Sequence, residues 1–273
     1  MWIRVRFDIG WLDLWLGRLG CLVPGRRNLL ESSVASHWAN PNEMLPVLSV
    51  RSGFDLLLTA LDLPNGSEIL LTALTVADMP TIVGKHGLVA VPVDLEPNGF
   101  RPDLDALRQA ITANSRVIVV AHLFGDRVPM ELILQIAREH NLIVVEDCAQ
   151  SFSGLQNQYH PDSDLAMFSF GPIKTSTALQ GGILRVGDSQ TIERMTALQN
   201  DYPVQSSLKF AFRLARYALL TIVSTRIVFG CLVRICNILN VDYDSLLNRS
   251  SRNFSDGDLF DSCGNDHRQV CCD

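Results

Sequence analysis

The sequence predicts an α/β fold, a mostly parallel central sheet flanked by helices. Six short, β-rich apolar runs follow one another between residues 68 and 186, helical patterns separate the earlier runs, and turn-forming clusters punctuate the series. Runs that are apolar at nearly every position belong to strands covered on both faces, as helical crossovers around a parallel sheet produce.

Residues 1–45 read as an N-terminal helical segment. The opening MWIRVRFDIGWLDLWLGRLGCLVPG is basic and then apolar, but Asp8, Asp13 and Arg18 interrupt it and no small-residue cleavage site follows. It reads as an amphipathic helix docked on the protein body, with peripheral membrane contact as the other reading. A helical pattern covers 53–62 after Ser52-Gly53, and the runs EILLTA (68–73) and LVAVPV (88–93) follow as strands. A helix over 103–113 carries Asp103, Leu104, Leu107, Ala110 and Ile111 on one face. The strand RVIVVAH (116–122) comes next, then a helix over 130–140 with Leu132, Ile133, Ile136 and Ala137. LIVVED (142–147), LAMFSF (165–170) and GGILRV (181–186) complete the strands. Pro64-Asn65-Gly66, Pro97-Asn98-Gly99 and the stretch from Asn157 to Pro161 mark turns.

Residues 46–200 therefore form the large domain. Residues 201–260 form a helical remnant of a further domain, and 261–273 a polar, disordered tail. The apolar stretch 210–241 is interrupted by Arg213, Arg216, Arg226 and Arg234 at intervals too short for a membrane span, so no integral membrane segment is expected.

The 273 residues, 47% apolar and 19% charged, suffice for one large domain or one and a half. A formal net charge of -6 argues against a nucleic-acid partner. Seven cysteines, an odd number on a long chain, favour reduced thiols and a cytoplasmic setting. Cys263, His267, Cys271 and Cys272 in the tail do not have zinc-site spacing, and no metal is expected.

In such sheets ligands gather beyond the carboxyl ends of the strands, which here are Thr72 to Thr75, His122 to Gly125, Asp147 to Gln150 and Ser169 to Lys174. Asp147 closes LIVVED, with Gln150 three residues on. Ser169 and Lys174 close the next strand, with Gly171 and Pro172 turning the chain between them. Gly181 and Gly182 either let backbone approach a ligand or serve hairpin geometry. Schiff-base catalysis with pyridoxal phosphate fits this order. A lysine amine holds the aldehyde, an acid keeps the pyridine nitrogen protonated, and a helix N-terminus with hydroxyl donors receives the phosphate.

HLFGDRVPM, VVEDCAQSFSG and FSFGPIKTSTALQGGIL together resemble the DegT/DnrJ/StrS-type sugar aminotransferases, over roughly residues 46 to 200. The resemblance implies a fold-type I aminotransferase large domain and pyridoxal 5'-phosphate as cofactor. Lys174 would be catalytic, holding the cofactor and moving a proton. Asp147 would pair with the pyridine nitrogen, Gln150 would lie beside the ring, Ser169 would donate to the phosphate, and Gly53 and Phe54 would offer it backbone N–H groups. It also implies a homodimer, an amino-acid donor such as glutamate, and a keto-sugar acceptor carried on a nucleotide.

The sequence departs from the family pattern in places. Phe54 and Asp55 follow Gly53 where the family has a hydroxyl residue, placing an extra acid toward the phosphate. Val76 follows Thr75 where a ring-stacking aromatic is usual, and Gly171 stands where many members have histidine. His122 reads as a structural residue rather than a catalytic one. Family members continue into a small C-terminal domain, whereas DSCGNDHRQVCCD resembles a frame-shifted or truncated end. That feature supports the alternative expectation of an impaired or regulatory homologue that binds cofactor without turnover. Dehydration of a sugar is a third class, and Lys174 argues against it, because related dehydratases carry histidine there.

Overall fold

A computed structural model describes residues 8–22, 27–155 and 158–238. The chain builds a seven-stranded sheet between helical layers. In chain order the elements are α1 (Trp11–Gly20), α2 (Arg27–Ala35), a short 3-10 turn (Pro41–Glu43), β1 (Met44–Val47), α3 (Val50–Leu61), β2 (Glu68–Thr72), α4 (Asp78–Lys85), β3 (Val89–Val93), α5 (Leu104–Ala110), β4 (Ser115–Ala121), α6 (Glu131–Glu139), β5 (Ile143–Asp147), β6 (Leu165–Ser169), β7 (Gly182–Val186), α7 (Ser189–Asn200), α8 (Ser207–Val223) and α9 (Arg226–Ile238).

The strand order is β1-β7-β6-β5-β4-β2-β3. From β3 to β6 all pairings are parallel; β7 runs antiparallel to both β6 and β1. The six apolar runs are strands β2 to β7, as their composition requires. β1 escapes the pattern because it is four residues long and contains Pro46, which an edge strand tolerates and a central one does not. α4 escapes it because it is short and carries Pro80 in its first turn, where a missing N–H costs nothing.

Alternation along the central strands divides the core between two layers. Ile69, Leu71, Val117, Val119 and Val145 pack with α3, α4 and α7, whereas Leu70, Ile118, Val120 and Val144 pack with α5 and α6. On that second face Trp38, in the turn after α2, meets the Phe168 ring at 4.7 Å. α1 uses Leu14 and Gly17 to sit on Leu214 of α8, in line with the amphipathic helix read from the sequence; residues 1–7 lie outside the described part. α8 and α9 bend by 74° at Ser224-Thr225, and no single helix among the described residues is long and apolar enough to cross a membrane. The tail 261–273, with its expected disorder and its cysteines, also lies outside the described residues.

Two close approaches bring α3 to the sheet. A Cβ on Gly53 would stand 2.8 Å from Leu184 Cδ1, so glycine there lets the helix settle on β7. A Cβ on Gly182 would stand 3.0 Å from both Phe168 O and Val50 N. Backbone lies on each side, with no flexible side chain to yield. Gly182 thus resolves toward close chain packing at the start of α3. Its replacement by alanine should lower stability by about 1–3 kcal/mol, the ordinary cost of overpacking, measured as a lower urea midpoint at unchanged slope. Glu146→Ala should cost a similar amount or more, because it strands two donors that the carboxylate now satisfies, the buried His122 Nε2 at 2.8 Å and the part-buried His160 N at 2.8 Å.

Candidate active site

At one edge of the sheet the carboxyl ends of β4, β5 and β6 stand side by side. Asp147 pairs across to Ala121 on one flank and Met167 on the other. Ser169 ends β6 opposite Gly182. β1 runs the same way as β6, so its end delivers Ser49 and the start of α3 to this edge.

Lys174 occupies the β6–β7 loop. That loop is tied down at several points. Lys174 N donates to Gly171 O at 3.1 Å, Ala178 N to Phe170 O at 3.0 Å, Phe170 N to Gly181 O at 3.0 Å, and Gly181 N to Leu48 O at 3.0 Å. Gly181 (φ +102) and Leu179 (φ +65) supply the left-handed residues that close it.

Lys174 and Asp147 feel each other's charge. Burial pushes the Lys174 ammonium below the ordinary lysine range, with Asp147 opposing the shift and Arg51 adding to it. Burial pushes the Asp147 carboxyl up, against an Ala149 N–H bond and the charges of Lys174 and His122. The Ala149 bond, at 3.0 Å, fixes one carboxylate oxygen. Desolvation is thus the leading cause at both groups, and it moves an acid and a base toward each other in pKa, the pattern of a reactive site rather than a solvated surface pair.

The remaining expected residues divide. Gln150 is exposed at the same strand end, its carboxamide oxygen accepting from Phe124 N at 3.4 Å. Ser169 is half-buried on the loop side of β6. Gly53 and Phe54 do not open α3, which corrects the expectation that their N–H groups face a phosphate. The helix starts at Val50, where Ser49 and Ser52 cap each other's backbone N–H at 3.1 and 2.9 Å. The Gly53 N–H is spent on Ser49 O at 2.9 Å, and Phe54 sits fully in the core. The first-turn amides beyond the reach of intrahelical bonding belong to Val50 and Arg51. The serine pair at 49 and 52 was the available signal, and it places the helix start earlier than Ser52-Gly53 suggests.

Asp55, expected as an acid toward the phosphate, instead turns to His86 Nε2 at 3.0 Å, at the C-terminal end of α4. Arg51 went unnoticed in the sequence. It reaches Asp78 at 2.5 Å and adds its charge to the field at Lys174. Phe124 was also missed; it is exposed, strained at φ +56, and packed against Phe100 at 4.8 Å. Val76 is 47% exposed and offers no ring.

His122 is structural, as expected. Its Nδ1 accepts from Val128 N at 3.0 Å, so Nε2 carries the hydrogen and donates to Glu146. His122, Glu146 and Cys148 bring potential ligand atoms within 4.8 Å of one another. Both imidazole nitrogens are engaged, and the Cys148 thiol donates to Gln158 O while burial pushes its pKa well above the usual value. These contacts make the trio a hydrogen-bonded brace behind Asp147.

The donor set fits pyridoxal phosphate: a desolvated amine, an acid within its field, and an open helix N-terminus bearing Arg51 on the same edge.

Over 159 residues the chain is 33% identical to the dTDP-3-amino-3,6-dideoxy-alpha-D-galactopyranose transaminase of Aneurinibacillus thermoaerophilus, covering 56% of this chain and 44% of the relative. It spans less than half the length of the curated relatives it matches. The crystal structure of the aminotransferase TlmJ from Streptoalloteichus hindustanus superposes with a TM-score of 0.65 at 21% identity, over 73% of this chain and 57% of that one. The PMP-form of the sugar aminotransferase Spr1654 from Streptococcus pneumoniae gives 0.64 at 19% identity, over 76% and 59%. These likenesses establish the fold-type I aminotransferase architecture. Residues 26–210 match the DegT/DnrJ/EryC1/StrS aminotransferase family, and the chain belongs to that family.

Proposed function

We propose that this chain carries the cofactor-binding part of a pyridoxal-phosphate-dependent aminotransferase that moves an amino group from an amino acid, glutamate being the expected donor, to a nucleotide-linked keto sugar. The observation that carries the reading is the Lys174–Asp147 pair, two desolvated groups of opposite kind within each other's field beyond the strand ends. Family membership and the sugar named for the Aneurinibacillus relative support the acceptor class. The cytoplasmic setting and the homodimer stay part of the same proposal.

When bound, pyridoxal phosphate supplies an aldehyde for amine exchange and a ring that draws electrons from the substrate α-carbon. The chain's residues do the rest. Lys174 Nζ, with its pKa lowered by burial, presents more free amine near neutrality than a surface lysine does, which suits it both to hold the aldehyde and to take and return the α-proton. Asp147, fixed by Ala149 N–H, would hold the ring nitrogen in its protonated form. Gln150 would hold the ring from the side and Ser169 would donate to the phosphate. The Val50 and Arg51 amides, with the Arg51 guanidinium, would take the anion in place of the Gly53 and Phe54 amides.

Lys174→Ala should abolish the absorbance near the visible edge that appears on adding pyridoxal phosphate, and should lower transamination on the order of a thousandfold or more. Wild-type protein that takes up the cofactor but never converts it on mixing with glutamate would remove the transaminase reading and leave cofactor binding alone. Asp147→Asn separates stability from binding. The folded carboxyl titrates above its ordinary value of 3.8, so wild-type stability falls as pH rises from there through the raised folded value. Without cofactor the asparagine variant should therefore melt on the order of 2–4 °C higher at pH 7, and the difference should vanish below the ordinary carboxylate range. Pyridoxal phosphate should raise the melting temperature of wild type far more than that of the variant.

A further inference from the structure

We propose that α8 and α9 form a seat for an anionic lipid surface, on which the protein rests without spanning the bilayer. The inference goes beyond the aminotransferase reading and does not depend on it.

The buried side of α8 presents Leu214 and Tyr217 to α1 and to Leu179. Its opposite side is apolar as well. Leu208, Phe212, Ala215, Leu219 and Ile222 recur at alternating intervals of four and three, and all are exposed, Phe212 by 68% and Leu219 by 60%. That is the spacing of a core-facing stripe, here turned to solvent. α9 repeats the arrangement, with Phe229, Val233 and Cys236 buried and Ile227, Ile235 and Ile238 exposed. Both helices thus carry exposed apolar side chains beside their buried ones.

Charge selects the occupant. From residue 202 to 241 the sequence has Lys209, Arg213, Arg216, Arg226 and Arg234 and no acidic residue, in a chain whose formal net charge is -6. Two copies meeting through this face would bring like charges together, whereas an anionic leaflet complements it. Neither helix alone is long and apolar enough to cross a membrane, and α8, with 17 residues, is bent by 74° from α9. Amphipathic helices with basic residues and bulky apolar side chains instead lie in the interfacial plane.

Flotation of the full chain with vesicles tests the proposal. The chain should float with phosphatidylcholine vesicles containing phosphatidylglycerol, and bind about tenfold more weakly to phosphatidylcholine alone or at high salt. Phe212→Glu with Leu219→Glu should cut binding by about tenfold or more, with the circular dichroism spectrum and pyridoxal phosphate absorbance unchanged. Arg226→Glu with Arg234→Glu, which leaves the apolar stripe intact, should cut binding to anionic vesicles by a similar factor. Failure to float, equal binding to both vesicle types, or undiminished binding by either folded variant would overturn it. So would a glutamate pair that turns a dimer into a monomer while wild type ignores lipid, because the face then belongs to a second copy.

Discussion

The parallel registration of β4, β5 and β6 is the constraint on which the site rests. Asp147 is held at the sheet edge because its strand pairs with Ala121 on one side and Met167 on the other. Shifting β5 by one residue would turn Asp147 to the opposite face and exchange the side chains packed into the two core layers. Val144 and Val145 point to opposite layers and are both buried, so the hydrophobic cost of a slip falls on both at once. The acid is therefore placed by the same burial that stabilises the sheet.

Behind that edge lies a polar brace. Glu146, the neighbour of Asp147, is fully buried and holds His122 at the end of β4 and the His160 backbone N–H before β6. A buried carboxylate with its partners in place locks three segments in one arrangement, whereas the same group unpaired would be costly. At the far end of the sheet Arg185 plays a comparable part. Its guanidinium meets Glu43 at 2.6 Å, donates to Ser163 O and lies over the Tyr159 ring, joining β7 to the turn before β1 and to the loop before β6. Both ends of the sheet are thus fixed by buried polar groups, and the Lys174 loop hangs from the carboxyl end between β6 and β7.

Much of this was legible in the residues. The runs at 68–73, 88–93, 116–122, 142–147, 165–170 and 181–186 gave six strands because an apolar, β-branched run bounded by turns has few other ways to bury itself. Asp147 stood out because it ends such a run, and Lys174 because it follows the next run across the Gly171-Pro172 turn. β1 and α4 were hidden by prolines that are harmless only at an edge or in a first turn, and no local pattern shows where an edge lies. The start of α3 was read late because Ser52-Gly53 resembles an opening, whereas reciprocal capping by Ser49 and Ser52 decides it.

The amino-acid sequence by itself determined the type of each long element, the two-sided burial of the central strands and the presence of an acid and an amine at successive strand ends, because these follow from side-chain period and short-range sterics. Only the tertiary structure decided that Lys174 and Asp147 share a desolvated edge, that Arg51 joins their field, that Asp55 turns away to His86, and that the Gly53 and Phe54 amides are spent inside a helix. Each of these depends on residues far apart in the chain, and on the water that packing removes between them.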